Sequence, residues 1–213
     1  MKYKKGYSEI YAFLSLVYFY DKQLKCLSLS DKPDLQSESL DIGIEVTESI
    51  SKKYGNERFH INQIFGQKLS ANEVLILSKR VKAINGKVRI IAGFATYSHH
   101  SGLFDTSTIF EKIRESIHLK SDKLNKNYRI FKDNWLYIFT NTSLIEKNDL
   151  QTVFDYWPIT YLNRNFSQLF VNCIDRIFVI EQNGIIFQIL LTDLDLKDLK
   201  MKSIEFDGCI QIL

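Results

Sequence analysis

The sequence predicts an α/β fold with a mixed central sheet flanked by helices, and three observations carry that expectation. Segments with apolar residues at helical spacing alternate along the chain with short β-rich runs, as in a sheet covered by helices. The stretch "NWLYIFTN" from Asn134 is short and nearly all apolar at its centre, in the manner of strands buried on both faces of a parallel sheet. In "CIDRIFVIEQNGIIFQILL", Asn183-Gly184 stands between two β-rich runs and marks an antiparallel hairpin.

Taken in order, the first element reads as a helix from Ser8 to Tyr20, with Ser8 as N-cap and Ile10, Leu14, Val17 and Tyr18 on one face. It is apolar nearly all round, so burial is expected. A strand pair follows: "CLSLSDKPDLQ", a polar turn at "SES", then "DIGIEVT" with Ile42, Ile44 and Val46 on one face and Gly43, Glu45 and Thr47 on the other. Residues 49–69 read as a loop with irregular helix. Ser70 to Asn85 reads as a helix, because Ser70 and Glu73 form a capping box before Val74, Leu77 and Val81. "GKVRIIAGFATYS" reads as a strand, Thr106 to Asn127 as a long helix, and Leu150 to Trp157 as a shorter one. No internal repeat or linker interrupts the pattern, and residues 1–213 are expected to form a single domain, a compact two-part arrangement being the alternative.

Composition narrows the function classes. Hydrophobic residues at 45%, aromatics at 13% and 2 prolines exclude a disordered chain. Heavy use of Lys, Asn, Ile, Tyr and Phe is compatible with an AT-rich bacterial or phage coding sequence. The net charge of +3 means that any nucleic-acid surface is a local patch. Cys26, Cys173 and Cys209 are odd in number, far apart and without a CxxC pair, which argues for reduced thiols in a cytoplasmic protein over disulfides or zinc. Lys2, Lys4 and Lys5 before "IYAFLSLVYFY" mimic a signal peptide, but the small-residue cleavage site is missing and Glu9 sits at the start of the run. That run is also much shorter than the roughly 20 residues of a membrane span.

Motifs for common chemistries are missing from the sequence: His60, His99, His100 and His118 lack HExxH spacing, with His99-His100 reading as loop residues, and no Walker loop, GxGxxG or GxSxG occurs. One constellation remains. Asp34 and Glu45 flank a tight hairpin, and adjacent strands lie ~4.8 Å apart, so both carboxylates can converge on one ion. Mg2+ or Mn2+ takes such oxygen ligands and keeps waters for a substrate phosphate. In "IFEKIRESIHLKSDKLNKNY", Lys120 shares the stripe of Ile113, Ile117 and Leu124. A lysine there needs an anion beside it, since burying an unpaired charge is costly. Lys123 lies off the stripe.

Pro33-Asp34 and Glu45-Val46-Thr47 resemble the two halves of the PD-(D/E)xK signature of the restriction-endonuclease-like nucleases, except that Thr47 replaces the lysine. The element order is also similar, and "IxxxIxxKxxKL" followed by "NWLYIF" resembles small bacterial and phage families of this superfamily that carry E-x-T in place of E-x-K. The resemblance implies a restriction-endonuclease-like core, a metal held by Asp34 and Glu45 with Glu9 as an additional helical acid, and Lys120 as the displaced catalytic lysine. It implies hydrolysis of nucleic acid, DNA in the first instance, by an enzyme that could act as a homodimer. Lys123, Lys126 and Arg129, with Lys132, Tyr128 and Phe131 interleaved, would track the phosphate backbone.

Plainer readings stand beside these. Pro33-Asp34 is ordinary turn chemistry, Glu45 and Thr47 fit the solvent face of an amphipathic strand, Lys120 can snorkel to water, and the basic run can be a solvated helix end. A catalytically inactive module binding nucleic acid or a protein partner is the alternative function. The aromatics of "VFDYWPITYLNRNF" would serve a partner or dimer surface.

Overall fold

The computed structural model describes residues 6–49, 70–82, 86–91, 94–99, 106–140, 145–156 and 165–205. The chain divides into two compact units, 50–104 and the remainder.

The smaller unit holds helix α2 (Ala71–Lys82; α1 and β1 to β3 belong to the larger unit, below) and an antiparallel pair, β4 (Gly86–Ile91) and β5 (Phe94–His99). The capping box forms: Glu73 Oε2 accepts from Ser70 N at 2.8 Å and Glu73 N donates to Ser70 Oγ at 3.4 Å. The single strand expected over "GKVRIIAGFATYS" is instead two. Ile91 pairs with Phe94, so the two runs are antiparallel partners and not one continuous strand. His99 ends β5 and is not a loop residue.

The larger unit begins with α1 (Tyr7–Ser15), a π-helical turn at Leu16–Tyr20 and a 3-10 turn at Lys22–Cys26. Strands β1 (Ser28–Leu29), β2 (Leu35–Ser37) and β3 (Ile42–Glu48) follow. After the smaller unit come α3 (Thr106–Asn127), β6 (Asp133–Phe139), α4 (Lys147–Tyr156), β7 (Gln168–Asn172), β8 (Arg176–Glu181), β9 (Ile186–Leu190) and α5 (Asp193–Glu205). One seven-stranded sheet runs in the order β1-β2-β3-β6-β7-β8-β9. Its centre, β3-β6-β7, is parallel and its flanks are antiparallel. The protein is therefore α/β with a mixed sheet.

Each face of the sheet has its own cover. Ile42, Ile44 and Val46 join Ile10, Leu14, Tyr137 and Phe170 in one core beneath α1, where Leu196 and Leu199 of α5 also pack. The alternate residues of β3 face α3, which buries Ile109, Ile113, Ile117 and Leu124. Gly43 is required there, because a Cβ would lie 2.5 Å from the Phe131 ring and 2.8 Å from Pro33 Cγ.

Three expectations in this unit are corrected. The first helix starts at Tyr7 with Gly6 as N-cap, and Ser8 instead donates to Glu48 Oε1 at 2.8 Å. Beyond Ser15 the wider π-helical turn breaks the i+4 register, so Tyr18 leaves the stripe and is 45% exposed. "CLSLSDKPDLQ" is not one strand: Cys26 closes the 3-10 turn, and β1 and β2 pair with each other about a bend in which Lys32 has φ of 66°. Residues 50–69 and most of "VFDYWPITYLNRNF" lie outside the described side chains; Phe166, its last residue, is buried in the core.

Candidate metal and phosphate site

Pairing between β2 and β3 sets Leu35 opposite Ile44. Continued by one residue, that register puts Asp34 opposite Glu45 on the α3 face. The Asp34 carboxylate takes a place in the ladder: its Oδ2 accepts from Val46 N at 2.9 Å, which fixes the side chain against the strand. Glu45 is only 3% exposed. The amphipathic-strand reading, with Glu45 on a solvent face, fails because α3 covers that face.

The anion that the buried stem of Lys120 requires is Glu45. Its ammonium forms an ion pair with Glu45 Oε1 and lies 3.4 Å from the Val46 carbonyl. Tyr128, the first residue after α3, donates its phenol to the same Oε1 at 3.1 Å. Glu45 Oε2 is buried and has no hydrogen-bond partner among the described residues. Burial is the main cause raising the Glu45 pKa, with the neighbouring Asp34 charge adding to it, while Lys120 and Tyr128 pull in the opposite direction. The Tyr128 phenol is pushed well up, first by burial and then by the Glu45 charge, so it remains a donor.

An orphaned buried carboxylate oxygen is what a hard divalent cation accepts, since it otherwise lacks any compensation for lost solvation. Asp34 and Glu45 are the residues that could hold such a cation, as two carboxylates. Glu9 is not drawn in: among the described residues no cluster of three or more His, Cys, Asp or Glu side chains forms, and the Glu9 carboxylate folds back over Gly6. Thr47 is half-buried beyond Glu45.

Of the basic residues, Lys123 and Lys126 are exposed near the end of α3. Arg129 is engaged, pairing with Glu38 at 2.6 Å and stacking over Phe131 at 4.7 Å. Tyr128 was legible only as an aromatic in a basic run; the sharper signal is that the stripe Ile113, Ile117, Lys120, Leu124 continues by four to reach it. Elsewhere, an open recess of about 580 Å³ is lined by Asp133, Trp135, Gln168 and Glu181 among others. It lies on the α1 side of the sheet, and its carboxylates already accept from Ser167 and Asn183. No described helix is long and apolar enough to cross a membrane.

The arrangement of Asp34, Glu45, Lys120 and Tyr128 stands without a named relative, since no family model and no curated protein matches this chain.

Proposed function

We propose that the protein is a metal-dependent nuclease with a restriction-endonuclease-like core, hydrolysing phosphodiester bonds of nucleic acid. The observation that carries this reading is the unpartnered Glu45 Oε2, buried beside Asp34, with a helical lysine docked on the other oxygen. Asp34 and Glu45 would hold Mg2+ or Mn2+. When bound, such an ion neutralises charge on a phosphate and lowers the pKa of an attacking water.

The remaining work falls to the chain. Asp34 is held by the Val46 amide, so its position does not depend on the ion. Lys120, whose ammonium rests on Glu45 Oε1, would donate to a non-bridging phosphate oxygen as negative charge develops. Lys123 and Lys126, exposed near the end of α3, would supply positive charge to the nucleic-acid backbone.

A second reading is favoured by Thr47 and by the engagement of the Lys120 ammonium on Glu45: an inactive nuclease-fold module that binds nucleic acid or a protein partner without turnover. Cleavage of single- and double-stranded DNA and RNA with Mg2+ or Mn2+ separates the two. The nuclease reading expects cleavage by the wild type that Glu45→Gln and Lys120→Ala both lose. A folded wild type that binds the panel in a salt-sensitive manner and cuts nothing would select the module.

A further inference from the structure

We propose that Tyr128 is a positioning residue of this site: with Lys120 it clamps one oxygen of Glu45, so that the other oxygen is the one turned to the cation. The inference rests on the metal-site reading above.

A carboxylate oxygen offers about two lone-pair directions. On Glu45 Oε1 both are used, one by the Lys120 ammonium and one by the Tyr128 phenol, while Oε2 has neither. An unclamped carboxylate exchanges its oxygens by turning about its terminal torsion, which is broad and two-fold. Two donors arriving from different points of the chain, the middle of α3 and the residue just past its end, remove that freedom.

The phenol is itself well fixed. Next to it, Arg129 is tied to Glu38. Phe131 is buried against Gly43, and its N–H and carbonyl bond the Asn134 side chain at 3.1 and 2.7 Å. The segment after α3 is thus anchored on both sides of the Glu45 strand, and a donor carried on it can orient a ligand more strictly than a lysine on a flexible stem. Donors that orient a metal-binding side chain typically contribute 10- to 100-fold to metal affinity.

The test is Mn2+ binding to the full chain, followed by the EPR signal of free Mn2+, in wild type, Tyr128→Phe and Glu45→Gln. Tyr128→Phe keeps the ring and removes only the donor. The expected result is a Kd for Mn2+ raised about tenfold or more in Tyr128→Phe, with its thermal midpoint and its nucleic-acid binding in EDTA close to wild type. Wild-type affinity in Tyr128→Phe would overturn the inference and leave the metal site standing. Failure of the wild type itself to bind Mn2+, or full binding by Glu45→Gln, would overturn the metal-site reading and this inference with it.

Discussion

Two buried polar groups sit back to back on the central strands, and only one of them is complete. Beneath α1, Ser15 Oγ and Tyr137 OH lie 2.9 Å apart, and Ser15 donates to the Ala12 carbonyl at 2.9 Å. Every member is neutral. Beneath α3, Glu45 is an ionisable carboxyl, and one of its oxygens has no partner among the described residues. Ser49 and Ser121 also leave buried hydroxyls unpaired among the described residues, but a hydroxyl costs far less to strand than a carboxylate. The same sheet thus carries one polar group satisfied within the chain and another with a carboxylate oxygen left open among the described residues. A buried polar atom left open in this way calls for an explanation, and the proposed cation is one.

The contrast can be broken most forcefully on the apolar side. Ile44→Ala, at a fully buried position between the two groups, should lower stability by about 4 kcal/mol in urea denaturation. A loss below about 1 kcal/mol would mean that the α1 core does not pack as described.

On the charged side, Lys120→Met should cost about 3 kcal/mol near pH 8, because it leaves Glu45 buried without its counter-ion. The sign with pH follows from the direction of the Glu45 shift. A carboxyl whose folded pKa is raised contributes stability that is fully present below its unfolded value and is lost as pH rises through the folded one. The Lys120→Met deficit should therefore shrink as pH falls toward the ordinary carboxylate range. The double variant Glu45→Leu/Lys120→Met should recover most of the loss at pH 8, and a deficit independent of pH would count against a buried charge.

Gly43→Ala tests how the hairpin is held to α3's end. The added methyl must displace Phe131 or Pro33, for about 2 kcal/mol, and thermal melting would register it as a lower midpoint. Smallest of all, Tyr137→Phe should cost about 1 kcal/mol and leave Mn2+ affinity untouched. A change in Mn2+ binding there would show that the two polar groups communicate through the sheet.

Much of this architecture was legible because local rules and tertiary demands agree. The hairpin at Asn183-Gly184, the limits of α3 and the burial of β6 all follow from pattern, and Lys120 stood out because one ammonium interrupts an apolar stripe. Other elements were less visible. The π-helical turn at Leu16–Tyr20 leaves no periodicity of its own in a run that is apolar throughout. Strand β7 has little signal of its own in "QLFVN", because the neighbouring "CIDRIF" dominates the β-rich pattern. Helix α5 carries its own start signal: Thr192 and Asp195 cap each other, with Asp195 Oδ2 accepting from Thr192 N at 2.8 Å. Tyr128 escaped because it lies one residue past the helix whose stripe points to it.

The parallel centre of the sheet has a kinetic consequence. Ile42 pairs with Asp133 and Glu48 with Phe139, so every β3-β6 contact joins residues 91 apart. Contacts of that range must overcome loop-closure entropy before they return any energy, which slows folding relative to a helical chain of similar stability. Hairpins such as β8-β9 need no such closure. The Glu45–Lys120 pair, spanning 75 residues, depends on the same closure, so a nascent or partly refolded chain can carry native hairpins and helices while its carboxylates still lack the lysine that meets them.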